Sequence, residues 1–473
     1  MQTLSLILIL ISVTTVYSHS GTTFDQFFEN KTMRVDYYHT GTATKEFISL
    51  DQVYEEGVWA GSQVNLIDTL NLGKYLTKVI DVATNQLIYS RGFSSIYGEW
   101  ETTSEAQNEI FRTIHESALI PYPKKTVQVL IAKRDKWMHF HDIFSTVIEP
   151  DSRFVNREKR APEFKVTTLL ENGPPHKKVD FLLLGDGYTK KEMNKFREDA
   201  KRWRDVILKT PPFKEHVVKF NIRAIEVISE DSGIDEPRKN LWRNNALGTS
   251  YNSFDSPRYV LTYANRAIRD IASAAPYDFI YIMVNSKRYG GGGIYNLYAT
   301  GMTGVENPKF DWHKEFMITH EFGHSFAGLG DEYYSSSISY LDFYPAGVEP
   351  WEPNVTSLPD PDNVKWKSFV QAETPLPTPW SKAQFDSLEA IRRTWDRSKP
   401  GYYEKWYKLR QQQVEFMNNS AYPNHVGAFE GSGYSSEGLY RPAIDCQMFS
   451  LSLVPYDPVC SKGIERVIKF YSE

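Results

Sequence analysis

The feature that most constrains this chain is the stretch His320-Glu321-Phe322-Gly323-His324-Ser325-Phe326-Ala327-Gly328-Leu329-Gly330-Asp331-Glu332-Tyr333-Tyr334. At 3.6 residues per turn, a helix here places His320 and His324 one above the other on a single face. Ile318, Phe322, Phe326 and Leu329 then form an apolar stripe roughly opposite. Such a helix must be packed on one side and offer a cleft on the other. Two stacked imidazoles can bind one Zn²⁺, and Glu321 is placed to take a proton from a water held by that ion. Gly328 and Gly330 end the helix, after which Asp331 returns with a third, hard oxygen ligand. Only three protein ligands are expected, which leaves the open position of a catalytic site and not the closed shell of a structural one.

The residues ahead of this helix say what it packs against. Residues 179–184 (Val-Asp-Phe-Leu-Leu-Leu) form a buried-strand run ended by Gly185-Asp186-Gly187. Thr189-Lys-Lys-Glu192 is a capping box, opening a helix whose apolar residues are Met193, Phe196, Ala200, Trp203 and Ile207. Further strands are expected over residues 220–228 and 278–284, with a helix over 258–272 between them. Strands alternating with helices predict an α+β domain. Four consecutive glycines, Gly290, Gly291, Gly292 and Gly293, allow close backbone approach, either as a flexible turn or as a sheet edge that accepts an extended polypeptide. Helices are also expected over 381–395 and 402–417 within a proline-punctuated elaboration.

Residues 19–150 read differently. Segments 33–39, 77–82 and 126–131 are rich in β-branched and aromatic residues with partial alternation, so an N-terminal β-sandwich domain is expected. Residues 151–163 are polar and charged and read as a linker to the domain at 164–473. Within the linker, Arg157-Glu158-Lys159-Arg160 has the pattern cut by furin-like proteases, although a solvated charge run has the same composition.

At the start, residues 4–13 are apolar but too short to span a bilayer, and Val16-Tyr17-Ser18 suits cleavage, so residues 1–18 read as a signal peptide and the protein as secreted. No later stretch is long enough for a membrane span. A net charge of −5 with no basic stripe argues against a nucleic-acid partner. In an exported chain the only two cysteines, Cys446 and Cys460, read as one disulfide. Asn30, Asn354 and Asn418 begin N-glycosylation sequons, relevant in a eukaryotic secretory pathway.

Taken together, the zinc helix with its Gly-Leu-Gly-Asp-Glu-Tyr continuation, Gly185-Asp186-Gly187-Tyr188, the segment from Tyr289 to Tyr295, Gly427-Ala-Phe-Glu430, and Tyr440-Arg-Pro442 with Met448 resemble the M64 family of zinc metallopeptidases, the IgA peptidase family. The resemblance spans the mature chain. It implies a zincin-like domain, a mixed sheet with the metal helix packed beneath it, and one catalytic Zn²⁺ held by His320, His324 and a downstream carboxylate, which we assign to Asp331. Here the glycine and the acid each fall one position later than in the better-known H-E-x-x-H-x-x-G-x-x-H/D spacing. Cys446-Gln447-Met448 resembles a methionine turn beneath the metal, with Met448 as a polarizable floor. The expected reaction is peptide hydrolysis with Glu321 as general base. Tyr440, or its neighbour Arg441, is expected to stabilise the oxyanion. Two other readings share these residues: a non-catalytic zinc-containing binding or adhesion protein, and a zinc hydrolase of non-peptide amides.

Overall fold

The computed structural model describes residues 22–159, 164–335, 344–396 and 399–473; the expected signal peptide and Arg160 lie outside them. In the N-terminal unit, Tyr75–Asp81 is buried at every second residue, the signature of a strand with one dry face. It lies between Gln86–Phe93 and Val127–Arg134, and Phe140–Ile148 completes an antiparallel sheet. A second four-stranded sheet is built on Phe28–Gly41, antiparallel to Arg112–Pro123 and Glu46–Glu55. Met33, Val35 and Tyr37 from this sheet share a core with Val79, Val129 and Ile131 from the first, so the two sheets face each other as a sandwich. The expected linker does not begin free. Val155–Asn156 pairs in parallel with Glu46–Glu55, and the Arg157 guanidinium donates to the carbonyls of Pro150, Ser152 and Val155.

The second unit is organised on a six-stranded mixed sheet in the order Gly291–Ile294, Tyr298–Met302, Phe279–Val284, Val179–Asp186, Phe220–Ile225, Val166–Leu170. The four inner strands run parallel and each edge strand is antiparallel to its neighbour. Val179–Asp186 is buried at all eight residues because both faces of the sheet are covered. On one face, Phe181 and Leu183 pack with Trp203 of the Met193–Lys209 helix, Phe322 and Phe326 of the Trp312–Ala327 helix, and Ile464 of the Pro458–Ser472 helix. On the other, Leu182 and Leu184 share a core with Ile268 of the short Asn265–Ala272 helix and with Tyr97 and Trp100 of the N-terminal unit. An apolar cluster therefore runs across both units, beside the separate core between the two N-terminal sheets.

Residues 258–264 are not helical as expected. Tyr259 bridges to Gly291, with Val260 N–H donating to the Gly291 carbonyl at 3.1 Å and Gly291 N–H donating to the Arg258 carbonyl at 3.2 Å. The path of this segment is set upstream by Asp186, which is fully buried and ties the preceding loop together. Asp186 accepts from the backbone N–H of Gly187, Leu247 and Thr249 and from the side chains of Asn245 and Thr249. The expected helices at 381–395 and 402–417 are present as Lys382–Arg393 and Tyr402–Asn418. Among the described residues, no helix is long and apolar enough to cross a membrane.

Candidate active site

The Trp312–Ala327 helix carries His320, Glu321 and His324, and all but three of its sixteen residues are buried. Phe322 packs on Phe181 with ring centroids 4.7 Å apart, and Phe326 on Phe279 at 4.5 Å, which fixes the helix beneath the sheet. Gly328 ends the helix in the left-handed region, φ +60°, where a side chain would be strained. The chain then turns back through Leu329 and Gly330 and delivers Asp331 to the histidines. Its Oδ1 lies 3.1 Å from His320 Nε2 and 3.2 Å from His324 Nε2, and the two Nε2 atoms are 3.3 Å apart.

Whether these three atoms suit a metal can be read from their partners. His320 Nδ1 faces the Gln447 carbonyl at 3.0 Å and His324 Nδ1 faces the Leu329 carbonyl at 2.6 Å. A carbonyl only accepts, so each ring carries its proton on Nδ1 and turns the Nε2 lone pair inward. Asp331 Oδ1 is buried without a hydrogen-bond partner. Three acceptors thus converge, spaced as ligands with bonds of about 2.0–2.1 Å are on a tetrahedral ion, roughly 3.3 Å apart. The donor set fits Zn²⁺.

Electrostatics follow from the same packing. Burial raises the Glu321 carboxyl above its usual range, with His320 and His324 opposing. Burial works against charge on His324, but the Asp331 carboxylate outweighs it and lifts the imidazole to about 9, so a cation binding there takes the place of the Nε2 proton. Burial also disfavours charge on Asp331, yet the two rings hold it well below the usual carboxylate range.

Supporting groups come from the C-terminal part of the chain. Tyr434 Oη donates to Asp331 Oδ2 at 2.6 Å, which orients the carboxylate and leaves Oδ1 for the histidines. The Gln447 side chain donates to the Phe316 carbonyl and the Thr319 hydroxyl, fixing the carbonyl that orients His320. Met448 is fully buried, and its sulfur would lie 3.0 Å from a Cβ placed on Gly323, so it packs directly under the helix.

These residues open on a cavity of about 480 Å³. Its walls include Gly290, Gly291, Gly293, Arg258, Tyr289 and Tyr333. Lys74, Glu99, Lys133 and Met138 of the N-terminal unit also line it, so that unit forms part of the cleft. The glycine run is neither a loose turn nor an open edge along its whole length. The Arg258–Val260 segment covers it at Gly291, and a Cβ on Gly293 would lie 2.3 Å from the Glu321 carbonyl oxygen.

Tyr440 and Arg441 are not brought to this site. Tyr440 exchanges backbone hydrogen bonds with Thr356. Arg441 is buried over the rings of Phe449 and Trp380 and donates to the carbonyls of Glu430, Gly431 and Ile444. In their place the cavity has Arg258, whose guanidinium lies 3.2 Å from Tyr333 Oη, together with Tyr289 and Tyr434. Tyr289 belongs to the glycine segment already singled out in the sequence, whereas Arg258 and Tyr434 do not stand out there. Arg258 was hidden in an expected helix, and only the Gly-Ser-Gly run before Tyr434 hinted at a tight turn.

Two further expectations need correction. Cys446 and Cys460 are buried thiols with sulfurs 3.8 Å apart and form no disulfide. Asn354 is fully buried, its amide bonded to Gly330 N–H, to the Gly330 carbonyl and to Glu332 Oε1, so it cannot accept a glycan; Asn30 and Asn418 are exposed.

A family model described as IgA Peptidase M64 matches residues 167–468, and one described as Peptidase M64 N-terminus matches residues 23–145. No curated protein matches the chain.

Proposed function

The chain belongs to the M64 peptidase family, and from that premise we propose that it is a zinc-dependent endopeptidase with a centre formed by His320, His324 and Asp331. The observation that carries this reading is the convergence of three inward-facing acceptor atoms, two of them fixed by carbonyls behind the rings. Zn²⁺ bound there supplies Lewis acidity, polarising a scissile carbonyl and lowering the pKa of water towards ~7.

The protein's own groups do the rest. Glu321, with a proton affinity raised by burial, accepts a proton from the attacking water and passes it to the leaving amine nitrogen. Tyr434 keeps Asp331 in one rotamer through its hydrogen bond to Oδ2. Arg258, a permanent cation on the cavity wall, takes the oxyanion-stabilising role expected of Tyr440. An extended polypeptide substrate lies beside Gly293, between the glycine strand and the wall supplied by the N-terminal unit. A peptidase family favours this reading over a zinc-containing adhesion protein or an amide hydrolase of another class.

We further propose that the protein is exported after removal of residues 1–18; N-terminal sequencing of secreted material should begin near His19. Digestion of a peptide library by the purified mature chain tests the activity. Cleavage should stop with a zinc chelator and return with added Zn²⁺. Cleavage that ignores the chelator, or no cleavage of any peptide, overturns the proposal.

A further inference from the structure

A second group of metal-ligating side chains lies behind the first and has no part in the reaction proposed above. Glu332, Cys446, Asp457 and Cys460 each bring one oxygen or sulfur to a common point, all four atoms within 4.8 Å of one another. Their exposures are 0%, 0%, 6% and 0%. They come from three places in the fold: Glu332 follows Asp331, Cys446 precedes Gln447 and Met448, and Asp457 caps the Pro458–Ser472 helix that contains Cys460.

The hydrogen bonds leave this group unfinished. Asp457 Oδ1 accepts from the N–H of Val459 at 2.6 Å and of Cys460 at 2.9 Å, while Oδ2 is buried with no partner. Glu332 Oε1 accepts from Asn354 Nδ2 at 2.9 Å and from Cys460 Sγ at 3.2 Å, while Oε2 is buried with no partner. Two buried carboxyl groups, each with an orphaned oxygen, are costly unless a proton or a cation joins them; burial and the neighbouring Asp457 raise the Glu332 carboxyl well above its usual range, the response of a group short of positive charge. The sulfurs face each other at 3.8 Å, well beyond the ~2.0 Å of a covalent bond. Two thiolates on one tetrahedral Zn²⁺, with bonds of about 2.3 Å, lie ~3.8 Å apart. Cys446 Sγ also accepts the backbone N–H groups of Met448 at 3.5 Å and Asp457 at 3.4 Å, while burial holds both thiols above their usual range, so it is a bound cation that would ionise them.

We infer that Cys446, Cys460, Glu332 and Asp457 form a second, structural metal site that holds one Zn²⁺. Four protein ligands close the shell and leave no position for substrate, as in structural sites. The paired thiolates select zinc over calcium or magnesium. The ion ties the C-terminal helix to the two loops that build the catalytic site. Glu332 N–H donates to the Met448 carbonyl at 2.9 Å, Gln447 orients His320, and Asp331 is the neighbour of Glu332. This site does not depend on the catalytic reading.

The test uses the full mature chain purified without added reductant. Its metal is replaced by Co²⁺ and its cysteines are counted by alkylation after denaturation with a chelator. The first site has no sulfur ligand, so a thiolate-to-cobalt charge-transfer band reports the second site alone. We expect that band, two alkylatable thiols per chain, and one equivalent of zinc retained by a His320→Ala/His324→Ala variant. Cys446→Ser/Cys460→Ser should abolish the band. A chain with no alkylatable thiol contains a disulfide and overturns the inference, as do two free thiols with no charge-transfer band. Should the histidine variant fail to fold, the cobalt spectrum of the unmutated chain still decides. Loss of the catalytic proposal would leave that band unchanged.

Discussion

Gly293→Ala tests how tightly the glycine strand is pressed on the helix that carries His320 and His324. A Cβ at Gly293 would stand 2.3 Å from the Glu321 carbonyl oxygen, 2.9 Å from His324 Cβ and 3.1 Å from the Glu321 carbonyl carbon. The neighbours are helix backbone and the root of the His324 side chain, so nothing flexible can swing aside. Relief to an ordinary contact of ~3.4 Å requires the strand and helix to part by about 1 Å. Overpacking of this kind costs about 1–3 kcal/mol. A shift of about 1 Å in catalytic groups lowers turnover on the order of 10²-fold. Gly57→Ala is the control, since its Cβ would meet nothing closer than the Ser273 carbonyl oxygen at 3.8 Å. Urea midpoints and peptide hydrolysis would be measured for both variants. The reasoning fails if Gly293→Ala matches Gly57→Ala in stability and in turnover.

Further predictions follow from single contacts. Tyr434→Phe removes the 2.6 Å hydrogen bond to Asp331 and should weaken zinc binding about 10–100-fold, read by chelator competition; an unchanged affinity would remove Tyr434 from the account. In the N-terminal unit, His39 is buried between Glu116 and Glu46; burial opposes its charge, but the two carboxylates raise it to about 9. A folded value above the unfolded 6.5 stabilises the fold fully below pH 6.5, and the contribution, up to about 3 kcal/mol, is lost as pH rises through 9. Urea midpoints should therefore fall over that window, and His39→Gln should flatten the fall. Asn354→Ala leaves buried partners on Gly330 and Glu332 and should cost about 1–3 kcal/mol, while glycan mapping on protein from eukaryotic cells should never find Asn354 modified.

What could be foreseen in the sequence was whatever depends on local periodicity. The buried-strand run at 179–184, apolar but for Asp180, the Thr189–Glu192 capping box and the paired histidines each have a signature within a few residues, and each stands where expected. What escaped depends on long-range partners. Residues 258–264 carry no strong pattern of their own, and their course is set by the Asp186 loop and by the glycine strand. Tyr434 reaches Asp331 across 103 positions, and nothing local separates it from 28 other tyrosines, Tyr440 among them. The sequon at Asn354 shows the same limit, because burial is decided by the turn it packs into and not by the tripeptide. The N-terminal unit gave no hint of lining the cleft, since its cavity residues are scattered over several segments.

The proposed catalysis depends on Glu321 acting beside a zinc held by its neighbours, and one variant addresses that directly. Glu321→Gln keeps the size and burial of the side chain and leaves His320, His324 and Asp331 in place. Zinc content and hydrolysis of a cleavable peptide would be measured on the same preparation. The expected result is full zinc occupancy with turnover reduced about 10²–10⁴-fold. Full occupancy with unchanged turnover would contradict the proposed mechanism.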